Sequence, residues 1–277
     1  MKPTTVKTRL FLGVEESERA DLNWPQGQIC VRSLRSPTKS TANEDAAAVI
    51  PFGPDGLVLA VADGVGGGPG GREASNLAVE TLKEVLADVE AQPENLRGAI
   101  VDAVEEANRR VLNIGRGAAT TFVIGEFLSG QVRSYHVGDS ELMSVGQHGR
   151  IKIRITPHSP TGFAVEAGWL DEKEAVGHDA RHLLFNVIGS QDMRIEIGTP
   201  VSLARYDTVL LTSDGLLDNL YVDEIVKIIR AGPLQRAADG LVRLALTRMD
   251  GGSSKPSKPD DLTLILYRLP RRTGKRA

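Results

Sequence analysis

The chain has 277 residues, 41% apolar and 25% charged, with a net charge of −3; such a composition suits a globular protein long enough to bury a sizeable core, as one large domain or two small ones. The charge balance favours neither nucleic acid nor an anionic membrane as partner. One cysteine, Cys30, excludes an intrachain disulfide and a cysteine-rich zinc site, no apolar run has the length of a membrane span, and a monomer in a reducing, cytoplasmic setting is the expectation.

Residues 1–28 carry little pattern beyond an apolar patch at 10–14 and read as an N-terminal extension. Residues 29–31 suit a strand, and 36–43, polar and holding a proline, a loop. The apolar runs 46–50 and 57–62 flank the turn signal Asp55-Gly56, and the second suits a buried strand. It stops at Asp63-Gly64, and a glycine-rich loop follows to Gly71. The spacing predicts a helix over 72–90, with Ala74, Leu77, Ala78, Leu82 and Val85 on one face, and another over 94–114 behind Pro93. The period then changes: 120–127, 132–137, 141–145 and 151–155 are short β-like runs separated by glycine turns, the pattern of an antiparallel meander. Residues 156–190 are irregular, with one helical turn near 171–175. Residues 208–212 form a buried strand ending in Asp214-Gly215, 222–230 and 234–248 are helices, and 262–267 is the last strand before a basic, disordered tail at 270–277. Helices early and late around a central run of strands, without a regular βαβ repeat, indicate α+β with antiparallel sheets.

Carboxylates punctuate this pattern. Asp63 and Asp214 end apolar strands, Asp260 stands just ahead of another, and Glu44-Asp45 precede a fourth. A single Asp-Gly is first of all a turn dipeptide. Repetition changes the reading: strands of one sandwich bring their ends together, and like charges at close range cannot all stay ionised without compensation. Oxygen-only ligands select Mg²⁺ or Mn²⁺. Two such ions about 3.5–4 Å apart hold a bridging hydroxide and clamp a phosphoryl oxygen, so a phosphomonoester is hydrolysed in one step without a protein nucleophile. The chain holds no Gly-x-Ser-x-Gly elbow, and Cys30 lies in no catalytic motif. Gly66 to Gly71 also fits a dinucleotide-binding pattern, but Asp63 would repel a pyrophosphate and a second helix follows where the next strand belongs. His136 reads as a hydrogen-bonded core residue; His158, His178 and His182 match no zinc spacing and read as surface residues or substrate-side contacts.

In chain order, Asn43-Glu44-Asp45, Ala62-Asp63-Gly64-Val65-Gly66-Gly67, Thr120-Thr121, His136-Val137-Gly138-Asp139-Ser140, Thr212-Ser213-Asp214-Gly215-Leu216-Leu217-Asp218-Asn219 and Asp260-Asp261-Leu262-Thr263 resemble the motifs of the metal-dependent protein phosphatases, the protein phosphatase 2C family, in its small bacterial form. Residues 168–189 resemble its flap, and the likeness covers 40–268. It implies a catalytic domain over 29–269 with a flap at about 156–190, built as a four-layer α-β-β-α sandwich of two antiparallel sheets. It implies a serine/threonine phosphatase acting on a phosphorylated protein. It implies that Asp63 bridges two Mn²⁺ or Mg²⁺ ions, with the Gly64 carbonyl adding a ligand. Asp214 and Asp260 would complete the first ion, Glu44 and Asp45 hold the second or its waters, and Asp139 with Asp214 and Asp218 form a weaker third site.

Three positions depart from the family pattern. Many members place a phosphate-gripping arginine four residues before Glu44, where this chain has Ser40; Lys39, Arg35 and Arg72 are the candidate substitutes, and a lysine lacks the bidentate fork. Val65 stands where animal members often carry a histidine that protonates the leaving group. Asp261 stands where asparagine is common. The missing arginine raises an alternative, a weak or inactive member that binds phosphoproteins as a regulator; the retained Asp63, Asp214 and Asp260 count against it.

Overall fold

The computed structural model describes residues 7–65, 69–251 and 256–269. In chain order the elements are β1 (Arg9–Leu12), β2 (Ser17–Trp24), β3 (Gly27–Leu34), β4 (Ala46–Phe52), β5 (Gly56–Ala62), β6 (Gly64–Val65), α1 (Pro69–Asp88) and α2 (Pro93–Ile114). Then come β7 (Ala119–Thr120), β8 (Phe122–Leu128), β9 (Gln131–Val137), β10 (Glu141–Val145), β11 (Ile151–Arg154), α3 (Pro160–Glu166) and α4 (Glu172–Val176). The chain closes with β12 (Glu196–Ile197), β13 (Val201–Ser202), β14 (Thr208–Thr212), α5 (Asp214–Leu217), α6 (Val222–Ile229), α7 (Leu234–Met249) and β15 (Leu262–Arg268).

The continuous apolar strands bury both faces, and that decides the layering. Along β5, Leu57, Leu59 and Val61 pack with Val31, Val209, Leu211 and Ile265, while Val58, Ala60 and Ala62 pack with Leu82, Leu96, Ile100 and Ala107 of α1 and α2. The strands opposite do the same: Leu264 and Leu266 turn outward onto Ile225, Ile229, Leu241 and Ala245 of α6 and α7. The result is helices, sheet, sheet, helices. One sheet runs β1-β4-β5-β8-β9-β12, with β13 also on β9; the other runs β11-β10-β14-β15-β3-β2. A fully buried Leu or Val contributes about 1.5–3 kcal/mol, so the three apolar layers supply most of the driving force. The α-β-β-α sandwich of antiparallel sheets expected from the sequence is the fold observed.

Three details differ from the sequence reading. Residues 9–28 are no extension: β1 adds to the first sheet, with Phe11 opposite Ala47, and β2 pairs along the whole of β3 in the second. A boundary at 28/29 would cut that hairpin. Its signal is faint because β2 is an edge strand with only Ala20 and Trp24 buried. Next, the four middle strands are not one meander. β8 and β9 pair in the first sheet, but β10 pairs with β14 and β11 in the second. The crossing is made at Gly138, whose φ of +102° and tight contact with Thr121 leave no room for a side chain. Finally, residues 156–190 hold α3 as well as α4; Ser159 caps α3, its Oγ accepting from the Gly162 N–H at 3.1 Å, with Pro160 at the first position. Gly66 to Gly68 and the tail 270–277 lie outside the described residues.

Candidate active site

Antiparallel pairing puts the start of one strand beside the end of the next. At one end of the sandwich β4 begins, β5 ends, β8 begins and β9 ends; in the facing sheet β10 begins, β14 ends and β15 begins. The acidic residues of the sequence motifs all sit at this end. Glu44-Asp45 precede β4, Asp63 follows β5, Asp139 lies between β9 and β10, Asp214 follows β14, and Asp260 precedes β15. One cleft is lined by Lys39, Glu44, Asp63, Gly64, Val65, Thr121, Asp139, His182, Leu184, Asp214, Lys258, Pro259 and Asp260. The convergence required of the distant acids is therefore present.

Each acid is held by its neighbours. The buried Asn43 donates to Ser33 Oγ at 2.9 Å and accepts the Asp45 N–H at 2.8 Å; Glu44 lines the cleft, and Asp45 is buried outside its lining. Ser213 Oγ donates to Asp45 Oδ2 at 2.8 Å, tying the two sheets together. The Asp63 backbone is pinned on both sides: its N–H donates to Thr121 Oγ1 at 3.1 Å and its carbonyl accepts from Thr120 Oγ1 at 2.7 Å. Asp214 opens α5, so this Asp-Gly starts a helix instead of a turn. Gly215 lies flat against the Asp261 carbonyl, where any side chain would collide with backbone, and this contact draws Asp214 and Asp260 together.

The electrostatics are those of a crowded acidic cluster that Lys39 and Lys258 offset only in part. Desolvation, then the neighbouring Asp45, Asp214, Asp260 and Asp139, push the Asp63 carboxyl well above its ordinary range. Burial raises Asp45, with Asp261 adding to it, and burial raises Asp139, with Asp214 and Asp218 adding. Asp218 is pushed up to about 6, mainly by burial and by Asp214. Asp45 Oδ1 is buried with no hydrogen-bond partner among the described residues. An all-oxygen donor set, an orphaned carboxylate oxygen and mutual repulsion fit hard divalent cations.

A second group, His136, His158 and Glu196, has the composition of a metal site but not its geometry. The two rings stack at 4.3 Å with 24° between planes, so no ion can lie in the plane of both. His158 Nδ1 accepts from the Gly138 N–H at 3.1 Å, leaving Nε2 as the N–H that faces Glu196 at 3.2 Å. Burial and the adjacent His158 lower His136 to about 4, so it stays neutral, as a core residue should.

The residues suggested for gripping phosphate are split by the fold. Lys39 lines the cleft, its Nζ 2.7 Å from Glu44 Oε2 and 2.9 Å from Asp261 Oδ2. Ser40 is exposed on the loop beside it, outside that lining. Arg72 is also exposed, its side chain beside Gly13 and outside that lining.

The sequence profile of the family described as Protein phosphatase 2C matches residues 37–240. The chain belongs to the protein phosphatase 2C family. Protein phosphatase PhpP of Streptococcus pneumoniae is similar to this phosphatase at 30% identity over 197 residues, 68% of this chain and 79% of its own. The crystal structure of the Mycobacterium tuberculosis serine/threonine phosphatase PstP/Ppp superposes with a TM-score of 0.73 at 25% identity, covering 89% of this chain and 100% of that one. The catalytic domain of PstP in complex with two manganese ions has a TM-score of 0.69 at 23% identity, covering 88% and 99%. Members of the family are metal-dependent hydrolases of phosphoproteins, and no described helix of this phosphatase is long and apolar enough to cross a membrane.

One residue of the cleft was not legible as such. Lys258 sits in a polar Ser/Lys/Pro loop and reads as solvated, yet its Nζ lies 2.7 Å from Asp214 Oδ2 and 2.6 Å from Asp218 Oδ2. His182, which the sequence offers as a surface residue or substrate-side contact, lines the cleft from the segment 156–190.

Proposed function

We propose that this chain is a cytoplasmic, monomeric serine/threonine protein phosphatase that hydrolyses phosphoserine and phosphothreonine in a phosphorylated protein with two Mn²⁺ or Mg²⁺ ions. The observation that carries the reading is the meeting of Glu44, Asp63, Asp139, Asp214 and Asp260, from distant parts of the chain, in one cleft. The manganese seen in the PstP domain supports the choice of ion.

Asp63, Asp214 and Asp260 would hold one ion; Asp63, the Gly64 carbonyl and the Glu44-Asp45 pair would hold the other. When bound, the ions supply a Lewis acid for the phosphoryl oxygens and an activated water for in-line attack. The chain's own part is placement. Thr120, Thr121 and Ser213 fix the backbone or carboxylate of the ligand residues, so the site costs little reorganisation when charge develops. Lys39 faces the incoming dianion as a point charge and steers it without bidentate recognition. The retained acids count against the inactive alternative.

The test is steady-state hydrolysis of p-nitrophenyl phosphate and of phosphoserine and phosphothreonine peptides by the purified chain. Manganese should switch activity on and EDTA should remove it. Turnover that persists in excess EDTA, or none at any manganese concentration, overturns the proposal.

A further inference from the structure

The outer wall of the cleft contains a cation supplied by the protein. Lys258 Nζ lies 2.7 Å from Asp214 Oδ2, 2.6 Å from Asp218 Oδ2 and 3.3 Å from Asp260 Oδ2. These carboxylates come from α5, from the residue just after it, and from the segment ahead of β15. Its ammonium thus takes up the position from which a single ion would reach all three.

The placement is built, not incidental. The Lys258 N–H donates to Asn219 Oδ1 at 2.9 Å, and Asn219 Nδ2 donates back to the Lys258 carbonyl at 2.8 Å. Asn219 is fully buried, and its own carbonyl accepts from Arg248 Nη1. Arg248, also buried, is locked by two bonds to Glu224 at 2.6 and 2.8 Å, and its carbonyl accepts from Ser257 Oγ at 2.6 Å. Helices α6 and α7 therefore hold the lysine's backbone from beneath. From the other side the flap's Arg181 brings its Nε to 3.7 Å from Asp218 Oδ2.

We propose that Lys258 is a tethered cation that takes the place of a third divalent ion, so that this phosphatase binds two ions and no more. The inference rests on the two-ion reading above. A divalent ion on Asp214 Oδ2 and Asp218 Oδ2, the two acids of the third site that Lys258 contacts, would sit about 2.0–2.1 Å from them, inside the volume the ammonium fills, so lysine and ion exclude one another. Asp218, which no other cation of the catalytic pair needs, is then a partner for Lys258 and Arg181 instead of a metal ligand. Lys258 is a positioning residue: it contacts Asp214 and Asp260 through their Oδ2 atoms, so that Asp214 Oδ1 and Asp260 Oδ1, the latter also accepting the Asp261 N–H at 2.9 Å, would be left to the first ion.

The experiment is equilibrium dialysis of the full chain and of Lys258→Ser against millimolar MnCl₂, counting manganese per chain by mass spectrometry, with circular dichroism as the check on folding. Two ions in the wild type and three in Lys258→Ser support the proposal, as does a count of two in Lys258→Arg. Three ions in the wild type, or two in both, overturn it. No bound manganese in the wild type overturns the phosphatase reading as well, which separates the two failures. If Lys258→Ser does not fold, Lys258→Gln, which keeps most of the stem, is read in the same way.

Discussion

Asp261 shows how a departure from the family pattern is absorbed by its surroundings. Its Oδ1 accepts from the Ser36 N–H at 2.7 Å; its Oδ2 accepts from the Glu44 N–H at 2.9 Å and from Lys39 Nζ at 2.9 Å. An asparagine offers one acceptor oxygen, so the second carboxylate oxygen and Lys39 belong together. The lysine flagged as a phosphate contact therefore also balances a buried acid. His136 carries a prediction at this scale. It is 2% exposed, its Nε2–H donates to the Thr156 carbonyl at 3.0 Å, and the titratable groups facing it are His158 and Glu196. Its folded pKa, about 4, lies below the unfolded 6.5. Between those values the unfolded chain binds the extra proton, so stability from this residue is full above pH 6.5 and is lost as pH falls. Relative to His136→Gln, wild-type stability should drop by about 2 kcal/mol between pH 7 and pH 5, measured by urea unfolding at each pH.

At the scale of elements, apolar runs and helical faces were legible because their periods are local. Strands β4, β5, β14 and β15 and helices α1, α2, α6 and α7 lie where the pattern put them, with small shifts at the ends. What failed was partnership. Nothing in the residues 132–145 says that β9 and β10 join different sheets, since both are short apolar strands beside a glycine turn. β1 and β2 failed for a related reason: an edge strand shows water one face and carries half a pattern. The consequence is testable. Deleting residues 1–28 removes β1 from one sheet and half of the β2–β3 hairpin from the other, uncovering Phe11's site and Val31. Losing one large core side chain of this kind costs about 3–5 kcal/mol. The truncated chain should therefore fail to give a cooperative thermal transition, whereas a flexible extension could be removed without changing Tm.

At the scale of the whole molecule, the cleft works against the fold that builds it. Raised carboxyls mean that the metal-free folded chain holds protons more tightly than the unfolded one, so its stability from these groups is greatest at low pH and is lost as pH rises through the raised pKa values. Asp63→Asn removes the charge nearest the centre. It should abolish manganese-dependent turnover yet raise the Tm of the EDTA-treated protein at pH 7, each kcal/mol of relieved repulsion being worth about 2–4 °C. A lower Tm for the apo variant in a calorimetric scan would contradict this account. The sequence by itself determined the class of the molecule and the identity of its acids, because buried strands, amphipathic helices and strand-end aspartates are each written in a few adjacent residues. Tertiary structure alone decided that Ser40 and Arg72 stay outside the cleft, that Asp261 needs Lys39, and that Lys258 stands among Asp214, Asp218 and Asp260. Those facts depend on residues up to 222 positions apart meeting in space, and no local period encodes such a meeting.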